Sequence, residues 1–557
     1  MTLPIHFTGD LAYAYVWGTR SQESGYLRLY DTVRPRREGG YGLDYPPLRL
    51  LIVTRWVKWL RETHPTFEPR SWSRNMSPDF DPHAWPRSVV KPLLRLNLAA
   101  ELATALGIFL LVRAWFPNPP DSGGLPRPRS EPNDRVAGSL LTQVGRGAVW
   151  MGLDAGTLGG LVAALLFWMN PAVIVDAHVF PQWDVWLLPF FVFGVLSASR
   201  NRWFSAGILV AAGSMFKGQL LLVAPLFALW PLFGRRWGAV LQWLGGFAAA
   251  ATVIVSPWLL GSRTGALWVA VVLIALGLAR AWPGGRRPGS WSTGAGVLLL
   301  LVATLWPWLL DPGRGGAWLG LLFAGALVGA TRLVPTTRTR CLVAFVLAGA
   351  LLICGVAFEG SFAVFRVGFE NHAERSFHFE GHVGNLGRLL SVVPGWRADT
   401  PLLGGSLMGV PTGRITLGLV LVLAYAAGLV LCSRAAATHA RRRDPRFLVA
   451  VVAPWVLLFL LLPNVKERYL VWGAGLTAVG SGVGWSMVLI HALVTLAAWE
   501  NESRVLLGLN PGFAPRLHAA FEALHPAGAW VVLACGLALL WVVMKPPARD
   551  DPARDPG

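Results

Sequence analysis

Four groups of ionisable residues stand out in an otherwise apolar chain. Asp10 lies in Thr8-Gly9-Asp10, ahead of Tyr13 and Tyr15, and Asp44 lies in Gly42-Leu43-Asp44-Tyr45-Pro46-Pro47-Leu48. A carboxylate beside a rigid Pro-Pro turn can act as a general base. Asp44 can equally cap the helix that Pro46 begins. The second group runs from Asn170-Pro171 through Asp176, His178, Gln182 and Asp184. It contains no Lys or Arg to form a simple ion pair, and its spacing is not that of a helical HxxxH zinc pair. The plain alternative is a polar loop with interfacial aromatic residues. Lys217 and Gln219 form the third group, in Phe216-Lys217-Gly218-Gln219. The chain has 44 Arg and five Lys, so a Lys here points to a compact ammonium facing a phosphate or an inward carboxylate. A snorkelling Lys is the alternative, weakened by its distance from both ends of the apolar stretch 204–233. The fourth group is Asn464-Val465-Lys466-Glu467-Arg468-Tyr469, where two cations beside a carboxylate make a phosphate clamp or an interfacial anchor. Residues 359–412 add Arg366, Glu370, His372, His378 and His382. The histidines fit a metal site or, more simply, a solvated loop.

The elements that must position these residues are apolar. Of 557 residues, 54% are hydrophobic and 14% charged, against about 25% charged in soluble chains. Apolar runs, most of them near the roughly 17–25 residues that cross a bilayer, recur at 92–116, 148–175, 185–199, 204–217, 219–233, 237–260, 265–281, 294–310, 316–333, 341–358, 413–433, 446–463, 470–497 and 527–545. The sequence therefore predicts an all-α polytopic membrane protein. Ionisable groups at membrane depth are costly and mark functional sites by default. The run 48–60 carries Arg49, Arg55 and Lys58 and reads as an interfacial helix rather than a span.

The net charge of +19 does not point to nucleic acid, because the arginines cluster in short loops between apolar runs. Basic loops at 117–147, 199–202, 235–236, 280–287, 332–340 and 434–446 read as cytoplasmic. The number of runs between them is even if 204–233 is a helix pair. The remaining connections, including 1–90, 176–184, 359–412 and 463–469, then face outward. This divides the chain into an outer segment 1–90, a transmembrane module 91–260, extra helices 261–358, an outer loop 359–412, a C-terminal module 413–545 and a polar tail 546–557. Cys341, Cys354, Cys432 and Cys535 have no CxxC partner and read as buried apolar residues.

At these residues the chain resembles the GT-C glycosyltransferases. It is most similar to the glucosyltransferases that extend dolichol-linked oligosaccharides and to bacterial mannosyltransferases. Those enzymes carry an early Gly-Asp, resembled by Gly9-Asp10, and Gly-Leu-Asp-Tyr-Pro-Pro-Leu, which stands here at 42–48. Their Asp-His-Gly-His-Phe-Gln exit loop resembles 176–182, and Phe-Lys-Gln resembles 216–219. Arg-Gly-Leu-Phe-Glu-Asp resembles 366–371, with Asn371 in place of the last Asp, and Met-His-Glu-Arg-Tyr-Leu resembles 465–470, with Lys466 in place of His. The motifs occur in family order across residues 8–470.

The resemblance implies a GT-C transmembrane bundle with large outer loops and an inverting hexosyl transfer. A polyprenyl-phosphate sugar is the implied donor and a glycan or lipid-linked molecule the acceptor. Asp10 stands at the base position, and Asp44 is the competing carboxylate. Lys217, Gln219, Lys466 and Arg468 are expected at the donor phosphate. Asp176, His178, Gln182, Asp184, Arg366, Glu370, Glu467 and Tyr469 are expected around the substrate. No cofactor is implied, a divalent metal stays open, and neither P-loop nor dinucleotide fingerprint is present. The expected setting is a bacterial inner membrane, surrounded by membrane lipid, with the site facing the periplasm. The family also has a helix before its first outer loop, so a start upstream of Met1 or a truncated chain is expected. The rival reading is a transporter or flippase of a lipid-linked sugar, for which helices broken near Lys217-Gly218 would be apt.

Overall fold

A computed structural model describes residues 9–26, 28–32, 43, 45–67, 87–116, 154–259, 384–391, 396–407, 410–463, 465–510 and 512–545. Over these residues the chain is helical apart from one antiparallel hairpin, Pro401–Leu407 with Val410–Thr416. The all-α expectation therefore holds apart from this one hairpin, which overlaps the end of the connection expected at 359–412. The runs expected at 265–358 lie outside the described residues.

The segment expected to be an outer loop contains two packed helices, α1 (Gly9–Ser24) and α2 (Pro47–Thr63). Helix α2 matches the amphipathic run expected at 48–60. Pro47 opens it, where a missing N–H costs nothing, and Leu50, Val53, Val57 and Leu60 form its buried face. Helix α1 buries Leu11, Ala14 and Trp17 at helical spacing, a pattern hidden among polar and aromatic neighbours. The two helices touch at Gly18, where a Cβ would stand 2.5 Å from Val57 Cγ2. Thr54 Oγ1 donates to Ser21 Oγ at 2.8 Å across the same contact.

Three helical segments are long and apolar enough to cross a membrane: Ser88–Trp115 in α3 (Arg87–Trp115), α9 (Leu417–Arg442), and Ala527–Met544 in α12 (Pro515–Met544). A fourth results if the bent pair Ala155–Trp168 and Pro171–Val179 is one span. These helices expose Leu102 and Leu106, Leu419 and Leu423, and Trp530, Leu537 and Trp541. Rows of bare apolar side chains are what a membrane would cover.

Helix α4 (Ala155–Trp168) packs on α3 and is followed by short helices: α5 (Leu188–Ser199), α6 (Trp203–Phe216) and α7 (Pro225–Phe233). The stretch 204–233 is thus a broken pair, as one of its two readings allowed. Helix α8 (Trp237–Leu259) lies against α6 so closely that a Cβ on Gly246 would stand 2.1 Å from Phe204 O, and one on Gly207 2.2 Å from Trp243 O. At the centre is α10 (Arg446–Leu461), buried at every residue from Phe447 to Leu460. A helix apolar all round belongs inside.

The run 470–497, expected as one span, is not one helix. Helix Leu470–Leu476 passes into a 3-10 segment Thr477–Gly482, and α11 (Trp485–Gly508) begins afresh after Gly484. Thr477 Oγ1 lies 3.0 Å from His491 Nδ1, tying α11 back onto the turn. The chain therefore reverses within this stretch. Helix α11 returns to the Glu467–Tyr469 turn, and α12 runs the opposite way to its end. There Arg446 Nη1 donates to Lys545 O at 2.7 Å, and His439 Nε2 lies 3.0 Å from Val543 O. A single crossing at 470–497 would have left residue 545 at the other end from the basic loop 434–446; the structure places it beside that loop.

Candidate functional site

The site begins at a break. Helix α4 ends at Asn170-Pro171, and the chain turns by 45° into Pro171–Val179. Asn170 Oδ1 accepts from Ala172 N, and its Nδ2 donates to Thr495 Oγ1 at 2.8 Å on α11. The last turn of this piece, Val175–Val179, is π-helical, a geometry frequent at functional sites. Asn97 on α3 anchors this turn and the loop after it, donating to Ala177 O at 2.6 Å and Gln182 O at 2.8 Å. It accepts from Trp186 Nε1 at 2.6 Å. Asp176, Gln182 and Asp184 are thereby fixed with their side chains fully buried.

The cations that this segment lacks locally arrive from distant elements. Lys217 sits in extended backbone between α6 and the turn Leu220–Val223, and its Nζ pairs with Asp184 Oδ1. Arg468, in the 3-10 turn Glu467–Tyr469, spans two carboxylates. Its Nη2 is 3.2 Å from Asp10 Oδ2, and its Nε is 3.4 Å from Asp184 Oδ2. Tyr469 stacks on Trp472 with ring centroids 4.6 Å apart, and Lys217 Nζ lies 5.3 and 5.2 Å from the two rings. Trp472 Nε1 donates to Asp184 O at 3.0 Å, and Gln219 Nε2 donates to Tyr469 Oη at 2.9 Å.

The cluster grades from closed to open. Asp184 has no exposed side-chain surface, whereas 22% of the Asp10 side chain is exposed. Asp10 stands in the first turn of α1, where helix amide dipoles favour a carboxylate. Burial alone would raise its pKa, but Arg468, Arg49, a hydrogen bond from Gln182 and Lys217 together hold it below the usual carboxylate range. Burial likewise disfavours the Arg468 charge, and Asp10 and Asp184 more than offset it, so Arg468 stays cationic.

Of the residues singled out in the sequence, Asp10, Asp184, Lys217, Gln219, Arg468 and Tyr469 form this contiguous network, with Asp176 and Gln182 beside it. Lys466 and Glu467 lie half-buried at the entrance to the same turn. His178 is a neighbour turned elsewhere: its Nε2 is 2.9 Å from Glu101 Oε1 on α3. Asp44, Asn464, Arg366, Glu370, His372, His378 and His382 lie outside the described residues. Among the described residues, no group of three or more His, Cys, Asp or Glu side chains is arranged to hold a metal ion.

Three charged participants were missed in the sequence. Arg49, read as a lipid-surface cation of α2, is buried, with its guanidinium 3.8 Å from the Tyr45 ring and 5.0 Å from that of Trp183. Glu101 is buried in the middle of α3; a carboxylate inside an apolar run was the available signal. Glu502 on α11 is buried and faces the site. Its signal was the polar run Glu500-Asn501-Glu502-Ser503-Arg504 inside a helix, which only the reversal at Gly484 brings to this end. The chain matches no protein-family model, and no curated protein shows significant similarity to it.

Proposed function

We propose that the protein is an inverting glycosyltransferase of the GT-C type. It moves a hexose from a polyprenyl-phosphate sugar to a lipid-linked glycan or other acceptor at the outer face of a membrane. The observation that carries this reading is the convergence of Asp10, Lys217 and Arg468 on one partly open polar centre. They come from three elements far apart in sequence, and three of the six motifs that resemble the family supply them.

In this reading the acceptor hydroxyl meets Asp10, the most exposed carboxylate of the network. Its ionised form accepts the hydroxyl proton as the oxygen attacks the sugar C1. The C1–O bond to the lipid phosphate breaks on the opposite face, and the phosphate leaves with the bonding pair. Lys217 and Arg468 stabilise that developing charge from a preorganised, water-poor setting. Asp184 holds both cations in place. The resemblance implies Asp10 as the base, and its partial exposure beside Arg468 supports that reading; Asp44 keeps the capping alternative. The protein is read as multi-pass, in a bacterial inner membrane with this site on the periplasmic side.

A second reading, a carrier of lipid-linked sugars, is favoured by the helix breaks at Asn170-Pro171 and at Lys217-Gly218, which carry residues of the site. Turnover separates the two readings. Purified protein given a polyprenyl-phosphate hexose and an acceptor releases free polyprenyl phosphate if it is a transferase. Movement of intact donor across a proteoliposome membrane, with no lipid phosphate released, supports the carrier instead.

A further inference from the structure

The polar centre has two chemically different sides. On one side Lys217, Arg468 and Arg49 supply charged donors. On the other, the buried side-chain atoms without a hydrogen-bond partner are acceptors: Asp176 Oδ1 and Oδ2, Gln182 Oε1, Gln219 Oε1, and Glu502 Oε1 and Oε2. Asp176 is wholly buried and Glu502 is 1% exposed. Burying a carboxylate with neither oxygen satisfied costs more than most single interactions return. Such a pair is retained when something supplies donors to it.

The two carboxylates belong to one wall. Helix α11 packs against the π-helical turn that carries Asp176 and against the turn that carries Arg468. One helical turn beyond Glu502, Leu506 is buried against Val179 and Phe180, which fixes α11 in register with 175–180. The groups that act on Glu502 electrostatically are those of the site: Asp176, Asp184, Glu467 and Arg468.

We propose that Asp176 and Glu502, with Gln182 Oε1, bind the donor sugar by accepting hydrogen bonds from its hydroxyl groups. A hexose brings several neutral O–H groups, which can donate to the unpartnered oxygens of Asp176, Glu502 and Gln182 Oε1. The inference rests on the transferase reading above and adds to it which wall takes the sugar. Glu502 becomes a residue that sets preference for a sugar-bearing lipid over the bare lipid phosphate. The cationic side then takes the phosphate, so the lipid lies with its phosphate toward Lys217 and Arg468 and its ring toward α11.

The test measures binding of two probes to purified protein in nanodiscs: a short-chain polyprenyl phosphate, and the same lipid carrying a hexose. Wild type is expected to prefer the sugar-bearing probe. Glu502→Gln and Asp176→Asn keep the volume of each side chain and are expected to lower that preference about tenfold, since each replaces a carboxyl oxygen by an amide nitrogen that cannot accept from a hydroxyl. Affinity for the bare lipid phosphate should stay within about twofold. A melting curve for each variant confirms that the binding protein is folded. If either amide falls below the wild-type melting range, Glu502→Asp, which keeps the carboxyl group and withdraws it by one methylene, is expected to show the same selective loss. Full retention of the sugar preference in folded variants overturns the inference and leaves the transferase reading standing. Equal loss for both probes also overturns it, because the acids would then serve the phosphate side. Manganese binding that the variants abolish would assign the carboxylates to a cation instead. A wild type that binds neither probe removes the transferase reading and the inference together.

Discussion

At the scale of single residues, two carboxylates of the polar centre have different surroundings. Asp10 is partly open and held ionised, and Asp184 is sealed between Lys217 and Arg468. On the proposed mechanism Asp10→Asn removes the general base, a group that typically contributes 10²–10⁴-fold. Single-turnover transfer should fall by that factor while donor binding survives, and near wild-type turnover would remove Asp10 from the chemistry. The pH dependence carries a sign. Because Asp10 is held below the usual range, the active ionised form persists as pH falls through the region where an ordinary carboxylate titrates, near 3.9. The stability it contributes is likewise present above the unfolded value and lost as pH falls through the folded one. The rate profile of the wild type should therefore show no acidic limb between about pH 5 and 8. In Arg468→Met the strongest opposing cation is gone while burial remains, so the limb should move upward. A wild-type limb near pH 6 would contradict the assignment. Lys217→Met has a different expected result. It strips a buried carboxylate of one partner, and breaking such a pair costs about 3–5 kcal/mol. The melting temperature should drop, and the double variant Lys217→Met with Asp184→Asn should recover most of it without recovering transfer. A single variant that melts like wild type would show that the pair holds nothing.

At the scale of elements, the sequence disclosed those built by local rules and missed those built by long-range contact. Pro46-Pro47 announces α2, the apolar runs announce α3 and α9, and the break at Lys217-Gly218 stands at its expected place. The reversal at 477–484 was hidden because a continuous apolar run looks the same whether the chain crosses once or turns back inside the protein. Thr477 and the run Gly480-Ser481-Gly482-Val483-Gly484 were the punctuation. Arg49 was misplaced for a related reason: a basic amphipathic helix reads as a membrane-surface helix until a partner such as α1 covers it. Asp10 and Lys217 were legible through their types and motif context, and Glu502 was not, because its meaning depends on the reversal. The α6–α8 contact gives this scale its own prediction. Gly207 and Gly246 each face the partner's backbone at a distance no Cβ fits, the small-residue packing that lets membrane helices approach. Gly246→Val should cost about 1–3 kcal/mol by overpacking, read as a lower melting temperature. A control at Gly512, where a Cβ meets nothing within 4 Å, should leave the melt unchanged. Equal effects at the two sites would show that the close approach is not what matters.

At the scale of the whole molecule, helix directions place the polar centre at one end and the basic loop 434–446 at the other. Gly384 N donates to Asn501 Oδ1 at 2.9 Å, which brings 384–391 to the end that holds Glu502. Arg446 and Lys545 meet at the opposite end. If the chain is inserted as read, cysteines at 388 and 513 should be labelled from the outer face of intact cells. A cysteine at 545 should be reached only after permeabilisation; outer labelling at 545 would restore the single crossing at 470–497. The central claim, however, is chemical. The most direct measurement supplies purified protein with radiolabelled polyprenyl-phosphate hexoses and an extract of lipid-linked glycans. It scores released lipid phosphate together with the anomeric configuration of the product. An inverting transferase predicts release with inverted configuration, abolished by Asp10→Asn. Retained configuration, or no release from any donor while intact donor crosses the membrane, would contradict it.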